Sequence, residues 1–268
     1  WVAATVAQLE AAPEVTLLRR TQVTAYHDHN YLTAVERVTD HLAGPPAHLP
    51  RQRLWKMRAR QVVLATGAIE RPLVFADNDR PGVMLAGAVR AYIRRHAVLP
   101  GREVVIFTNN DDAYRTALAV DDAGAKVAAI VDARPSPAGP LVAAARARGL
   151  PIHAGHVVVE TRGRARVKGC AIMKLAADGQ SVNGVARPIN CDCIAMSGGW
   201  TPSVHLFSQS RGTLDWDADL AAFVPGTSRA EESSAGAAAG VFDLADIAKQ
   251  AARVGIERAR ASGHKGRP

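Results

Sequence analysis

The apolar positions change period several times along the chain, and each change marks an element. Residues 1–12 carry helical spacing, and Val15 to Arg20 followed by Gln22 to Tyr26 reads as strand. After a loop holding Pro45, Pro46 and Pro50, the apolar run Val62-Val63-Leu64-Ala65 stops at Thr66-Gly67, the pattern of a buried parallel strand. Glu103 to Phe107 predicts a strand, Asp112 to Asp122 a helix capped by Gly124, and Lys126 to Val131 a second strand ending at Asp132. Together these make a β-α-β unit. A helix over Leu141 to Arg148, closed by Gly149, leads to a strand at Ile152 to Ala154. From His156 to Ile189, breaks at Gly163, Gly169, Gly179 and Gly184 suit antiparallel hairpins. Cys191 to Met196 is a further apolar strand running into Ser197-Gly198-Gly199. A loop over Pro225 to Gly236 and a closing helix over Leu244 to Ala261 complete the chain, which has no repeat of about 20 to 50 residues.

At 268 residues the pattern fits about two domains. No apolar run approaches the roughly 20 residues of a membrane span, so a soluble globular protein without a membrane partner is expected. The chain opens on Trp1 in helix-like sequence without a secretory pattern, which reads as a piece of a longer cytoplasmic product. Lys and Arg exceed Asp and Glu by 33 to 25, a formal +8. The basic residues are scattered, densest at Arg51 to Arg60, Arg162 to Lys168 and Arg253 to Arg267, without zinc-finger or RNA-motif spacing. Nucleic acid is therefore not expected as a partner, and a solvated face or a docking face for an acidic anion or partner is. Cys170, Cys191 and Cys193 are too few for a disulfide framework or an iron-sulfur site with four thiolates. They read as buried apolar thiols, with Cys191 and Cys193 on one face of a strand. His27, His29 and His205 complete no metal spacing, and nothing resembles a nucleophile triad or paired-carboxylate site, so no metal and no catalytic residue is assigned.

A doubly wound nucleotide-binding unit places G-x-G-x-x-G after its first strand, because only glycine lets backbone amides approach a pyrophosphate closely. Here that slot reads Phe107-Thr108-Asn109-Asn110-Asp111-Asp112, with no glycine. Its two acids repel an anion and suit helix capping and the first turn. The unit is expected to keep its fold and to have lost ordinary dinucleotide binding, leaving Asp132 as a solvated strand-end acid. Small residues at the strand-to-glycine transitions Ala65-Thr66-Gly67 and Ser197 to Pro202 allow a cofactor or a crossing chain to pass close. Arg71, just after the first transition, reads as an anion ligand or a partner across a domain interface.

The two transitions, on either side of an inserted β-α-β domain, match the crossings of flavoproteins with two dinucleotide-binding domains, the thioredoxin-reductase and glutathione-reductase type. The runs TQVTAYHDHNY, VERVTDHL, LATGAIERPLVFADNDRPGVMLAGAVRAY, FTNNDDAYRTAL and MSGGWTPSVHLFSQSRGTLDWD resemble the alpha subunit of heterotetrameric sarcosine oxidases. The resemblance runs from Trp1 to about Ala261. It implies an α/β, Rossmann-like fold of the FAD/NAD(P)-binding, pyridine nucleotide-disulfide oxidoreductase type, incomplete at its N-terminus. Residues 1–77 plus 201–268 would be the first dinucleotide-binding domain, and 78–200 an inserted second one with a degenerate glycine loop.

The resemblance further implies an oxidoreductase subunit, inactive alone, in a complex with beta, gamma and delta subunits. That complex demethylates sarcosine oxidatively to glycine, makes peroxide and passes a one-carbon unit to tetrahydrofolate, which a C-terminal domain absent here handles. NAD would sit on this subunit, with FMN and FAD in the whole complex. The adenine edge would lie against Val23, the adenosine beside Ala65, Thr66 and Gly67, and the diphosphate towards Gly236, Ala237, Val241 and Asp243, whose helix start offers free amides. FAD-binding relatives carry a Gly-Asp pair in this last segment, and this sequence has none. Alternatives are an alpha-type subunit of an opine oxidase or a hydrogen cyanide synthase, which tend to carry a cysteine cluster, or a non-catalytic nucleotide-fold scaffold.

Overall fold

The computed structural model describes residues 1–265. In chain order the elements are α1 (Val2–Ala11), β1 (Thr21–His27), β2 (Tyr31–Arg37), β3 (Gln52–Arg58), β4 (Val62–Leu64), β5 (Ala68–Glu70), β6 (Val83–Leu85), α2 (Ala86–His96), β7 (Glu103–Thr108), α3 (Asp112–Asp122), β8 (Lys126–Asp132) and α4 (Pro140–Ala147). Then come β9 (Ile152–Ala154), β10 (His156–Gly163), β11 (Val167–Leu175), β12 (Val182–Asn190), β13 (Cys193–Ser197), β14 (Trp200–Pro202), α5 (His205–Gln209), β15 (Leu214–Asp217), β16 (Ala222–Pro225) and β17 (Glu232–Ser234). A 3₁₀ turn (Gly236–Ala239) precedes the closing α6 (Leu244–Ala261). The chain divides into two compact units, one of residues 1–68 and 202–268 and one of residues 69–201. Part of the basic stretch Arg253 to Arg267 lies outside the described residues.

The inserted unit is built on a five-stranded parallel sheet, ordered β6-β13-β7-β8-β9. Its central strands carry unbroken apolar runs, Val104 to Phe107, Val127 to Val131 and Cys193 to Met196, because both faces are covered. Val104 and Ile106 of β7, with Cys193 and Ala195 of β13, join α2, α3 and α4 in one core. Val105, Phe107, Ile194 and Met196 point the other way, into a second core covered by the antiparallel sheet β10-β11-β12. The extra residue in β8, between the pairs Val104↔Val127 and Val105↔Ala129, is a bulge that keeps both faces filled.

The same two cores overturn the expectation that Cys191 and Cys193 share a face. Cys191 lies before β13 begins and packs with Cys170 in the second core, whereas Cys193, already in the strand, packs in the first. All three thiols are buried, as expected, and burial pushes the Cys193 thiol up to about 12.

The other unit holds an antiparallel meander, β1-β2-β3, and a two-stranded parallel pair, β4 and β17, in register from Val62↔Glu232 to Leu64↔Ser234. Its core gathers Tyr26, Leu32, Val62, Leu64 and Phe207. Two expectations fail, and one helix has no expectation to match it. Val15 to Arg20 is not strand, since no strand of the described residues offers it a ladder partner. The span Pro225 to Gly236 contains β17, too short to show a period. Helix α2 was not predicted at all, because its polar face is crowded with arginines and only Ala86 and Val89 are buried.

Ile106 is wholly buried in the first core, so Ile106→Ala should cost about 3 kcal/mol of stability, readable as a lower urea midpoint with unchanged slope.

Candidate functional site

Open α/β sheets place ligands beyond the carboxyl ends of their parallel strands. In the first unit that point lies just past Leu64 and Ser234. The Ala235 amide donates to the Leu64 carbonyl at 2.9 Å, so Ala65-Thr66-Gly67 and Ala235-Gly236 leave the pair side by side. The turn is clamped from Ser203, whose carbonyl accepts from Thr66 Oγ1 at 2.8 Å and whose amide donates to the Gly67 carbonyl at 2.9 Å. Gly67 has φ 74°, and a Cβ placed there would meet no atom within 4 Å, so the space above the turn is open while its backbone favours glycine.

The return segment is more committed than its composition suggests. The Gly236 amide, expected to be free, donates to Gln250 Oε1 at 2.7 Å, because α6 folds back beside the 3₁₀ turn. Gly240 donates to the Ala237 carbonyl at 3.2 Å, and Val241 to the Gly236 carbonyl at 3.2 Å. Asp243 is the N-cap of α6, with Oδ1 accepting from Ala245 at 2.9 Å and Asp246 at 3.2 Å. Val23 lies in β1 opposite Ala34, beside a bulge in the meander. The structure thus brings Ala65, Thr66, Gly67 and Gly236 together, ties Ala237 and Val241 to the turn by backbone, and leaves Asp243 and Val23 on other work. Ser203 and Gln250 carry no motif, and their contacts span too much sequence to be read from spacing.

In the inserted unit, the crevice of a doubly wound sheet would open between β7 and β13, where the strand order reverses. Asn110 closes it, donating from Nδ2 to the Ser197 carbonyl and Oγ, both at 3.1 Å. Its Oδ1 accepts from the Asp112 amide at 3.1 Å. Asn110 therefore does the capping expected of Asp111, which makes no side-chain cap bond and instead pairs with Arg134 at 2.8 Å. Asp112 stands in the first turn as expected and receives Arg90 on both oxygens, at 3.2 and 3.0 Å.

Asp132 is the larger correction. It has no exposed surface, and its carboxylate takes Arg134 through Nε at 3.0 Å and Nη2 at 2.8 Å, and the Tyr114 hydroxyl at 2.8 Å. Burial, and then the bond to Asp132, hold the Tyr114 phenol well above its ordinary value. A charge this deep has to be paired, and Arg134 supplies the pair two residues downstream. The slot is filled by the chain's own groups.

Before α2, the nearly buried Glu70 accepts the Gly87 amide on Oε2 at 2.8 Å, at a helix start that favours the anion. Desolvation outweighs this, and burial pushes the carboxyl up. Arg71 holds its own loop: Nε donates to the Gly198 carbonyl at 3.0 Å, and its amide to that of Gly199 at 2.9 Å. Among the described residues no cluster of His, Cys, Asp and Glu has a metal-binding arrangement, and no helix is long and apolar enough to cross a membrane.

Comparison with known proteins agrees with this architecture. No family model matches the chain. It is 43% identical over 264 residues to the sarcosine oxidase subunit alpha of Corynebacterium sp. (strain P-1), and 40% identical over 254 residues to that of Rhizobium meliloti (strain 1021). The chain is a relative of sarcosine oxidase alpha subunits. These matches cover 98% and 92% of the chain, which spans only 27% and 24% of the two sarcosine oxidase subunits. Among solved structures, thioredoxin reductase from T. acidophilum superimposes with a TM-score of 0.67 at 16% identity, over 97% of this chain and 78% of that one. L-proline dehydrogenase from P. horikoshii gives 0.65 at 18%, over 92% and 42%. The fold of this sarcosine oxidase relative is the Rossmann-like fold of the pyridine nucleotide-disulfide oxidoreductases.

Because burial raises the Glu70 carboxyl from its ordinary 4.5, the stability contributed by its protonated form is whole below that value and is lost as pH rises through the folded-state value. Glu70→Gln keeps the acceptor for Gly87 and cannot ionise. Its melting temperature should match the wild type near about pH 4 and exceed it increasingly towards neutrality, and parallel melting curves would exclude a buried ionisation here.

Proposed function

We propose that this chain is the dinucleotide-holding and subunit-docking part of a sarcosine oxidase alpha subunit. The whole enzyme is an oxidoreductase acting on a CH–NH donor, turning sarcosine into glycine with peroxide formation and one-carbon transfer to tetrahydrofolate. Identity of 43% along nearly the whole chain to a sarcosine oxidase subunit alpha carries this reading. The first domain, taken from the sequence as residues 1–77 with 201–268, is the one that takes NAD, and residues 78–200 form the inserted domain that takes none. NAD here would be a bound dinucleotide, and the residues on this chain only hold and orient it. No catalytic residue is assigned to the chain, and FMN and FAD belong to the whole complex with its beta, gamma and delta subunits in the cytoplasm.

The residues fit part of a dinucleotide cradle. Gly67 leaves open space above the turn, and Thr66 is fixed by Ser203 with its exposed side turned outward. The adenosine is assigned to Thr66 and Val23, and the diphosphate to the segment from Gly236 to Asp243. What favours NAD over a flavin is that Ala237 follows Gly236 where flavin-binding relatives carry an acid, while Asp243 is spent on the α6 cap. The opine oxidase and hydrogen cyanide synthase alternatives are disfavoured by thiols buried in two separate cores.

The test is the nucleotide released from the denatured full-length subunit, identified by mass spectrometry. NAD is expected, and Gly67→Val should lower its content at least about tenfold by forcing a branched side chain into the left-handed region. Asp112→Asn should leave it unchanged. Release of FAD, or no nucleotide, would reject the assignment.

A further inference from the structure

The opposite end of the β4–β17 pair carries a second feature that the dinucleotide reading does not use. There the turn after β1 adopts left-handed backbone at His29 and Asn30, with φ 60° and 52°. The Asn30 side chain is 4% exposed and joins three segments. Its Oδ1 accepts from the Tyr26 hydroxyl at 2.8 Å, and its Nδ2 donates to the carbonyls of Glu231 at 2.9 Å and Arg60 at 3.3 Å. These segments frame a hollow of about 740 Å³ with Ser210 in its wall.

Its charged rim is Arg60, Arg211 and Arg229 against Asp28 and Glu231. Arg211 pairs with Asp28 at 2.9 Å, and Glu231 accepts from Gln61 at 3.1 Å. Among the described residues no carboxylate pairs with Arg60 or Arg229. The Asp28–Arg211 pair also borders a second hollow of about 550 Å³, which adds Arg58. The two share Asp28 and Arg211 and are lined by more arginines than carboxylates, which makes this surface a cationic groove.

We propose that this groove docks an acidic polypeptide segment whose carboxylates are spaced along an extended backbone. A compact phosphate is held best where several donors converge on one point. Here those donors are spent: both amide hydrogens of Asn30 bind carbonyls, and Ser210 Oγ donates within its own unit, to Glu232 or the Phe207 carbonyl. What remains available are the guanidinium arms of Arg60 and Arg229, on separate segments and without a carboxylate partner among the described residues, suited to carboxylates arriving one after another.

The probe is a fluorescein-labelled octapeptide of alternating Glu and Ser, titrated into the full-length chain and followed by anisotropy. Binding that weakens with added salt is expected. Arg60→Glu with Arg229→Glu should weaken it at least about tenfold, and Arg60→Gln with Arg229→Gln by less. Arg164→Glu, an exposed arginine of the inserted unit, should leave it unchanged. Absence of binding to the wild type, equal binding to both double variants, or displacement of the peptide by pyrophosphate below the peptide's own Kd would overturn the proposal, the last by making the groove a small-anion site. Unchanged thermal melts separate loss of docking from loss of fold.

Discussion

A carboxylate sealed from water must be answered by the chain around it, and Asp132 sets that condition for the inserted unit. It sits at the carboxyl end of β8 with no exposed surface, held by Arg134 from the following loop and Tyr114 from α3. Arg134 in turn reaches Asp111 at the start of α3. One buried charge thereby fixes the end of a strand, the start of a helix and a loop in a single arrangement. Pairs of this kind add little net stability relative to an apolar core, but removing one member leaves the other stranded, typically at about 3–5 kcal/mol. The consequence is positional: the ground where a doubly wound sheet receives a nucleotide is taken up by protein.

The same contrast explains what the two units can each do. At the β4–β17 ends, the open Gly67 turn leaves room for a ligand, although the Gly236 amide beside it is already bonded to Gln250. At the β7–β13 ends, Asn110 spans the crevice and bonds the Ser197 loop. The strand ends of the two units thus differ, one partly open and one filled.

Elements whose signal is local were legible from residue order. Helix Asp112 to Asp122 and helix Leu244 to Ala261 were found to the residue, since each has a clean period and a cap, and the β-α-β unit followed from them. Elements defined by a partner were not. Val15 to Arg20 has strand composition without a ladder, while β17 has a ladder without strand composition. Helix α2 was hidden because its buried stripe is narrow. For the site, the glycine transitions at Ala65 to Gly67 were visible as sequence. The fate of Asp132 was not, because a strand-end acid gives no sign of how deeply it will be covered, and neither was the bond from Gly236 to Gln250.

The Asn110 bridge ties the filled slot to the stability of the inserted unit. A glycine-rich loop placed at 108–113 would delete the side chain that ties Ser197 and caps α3, and would take from Arg90 its carboxylate partner. It would still leave Arg134 and Asp132 across the slot. Replacing Asn110 by glycine gives up bonds that the present fold uses. The side chains at 108–113 thus hold the slot in its filled arrangement against piecemeal change.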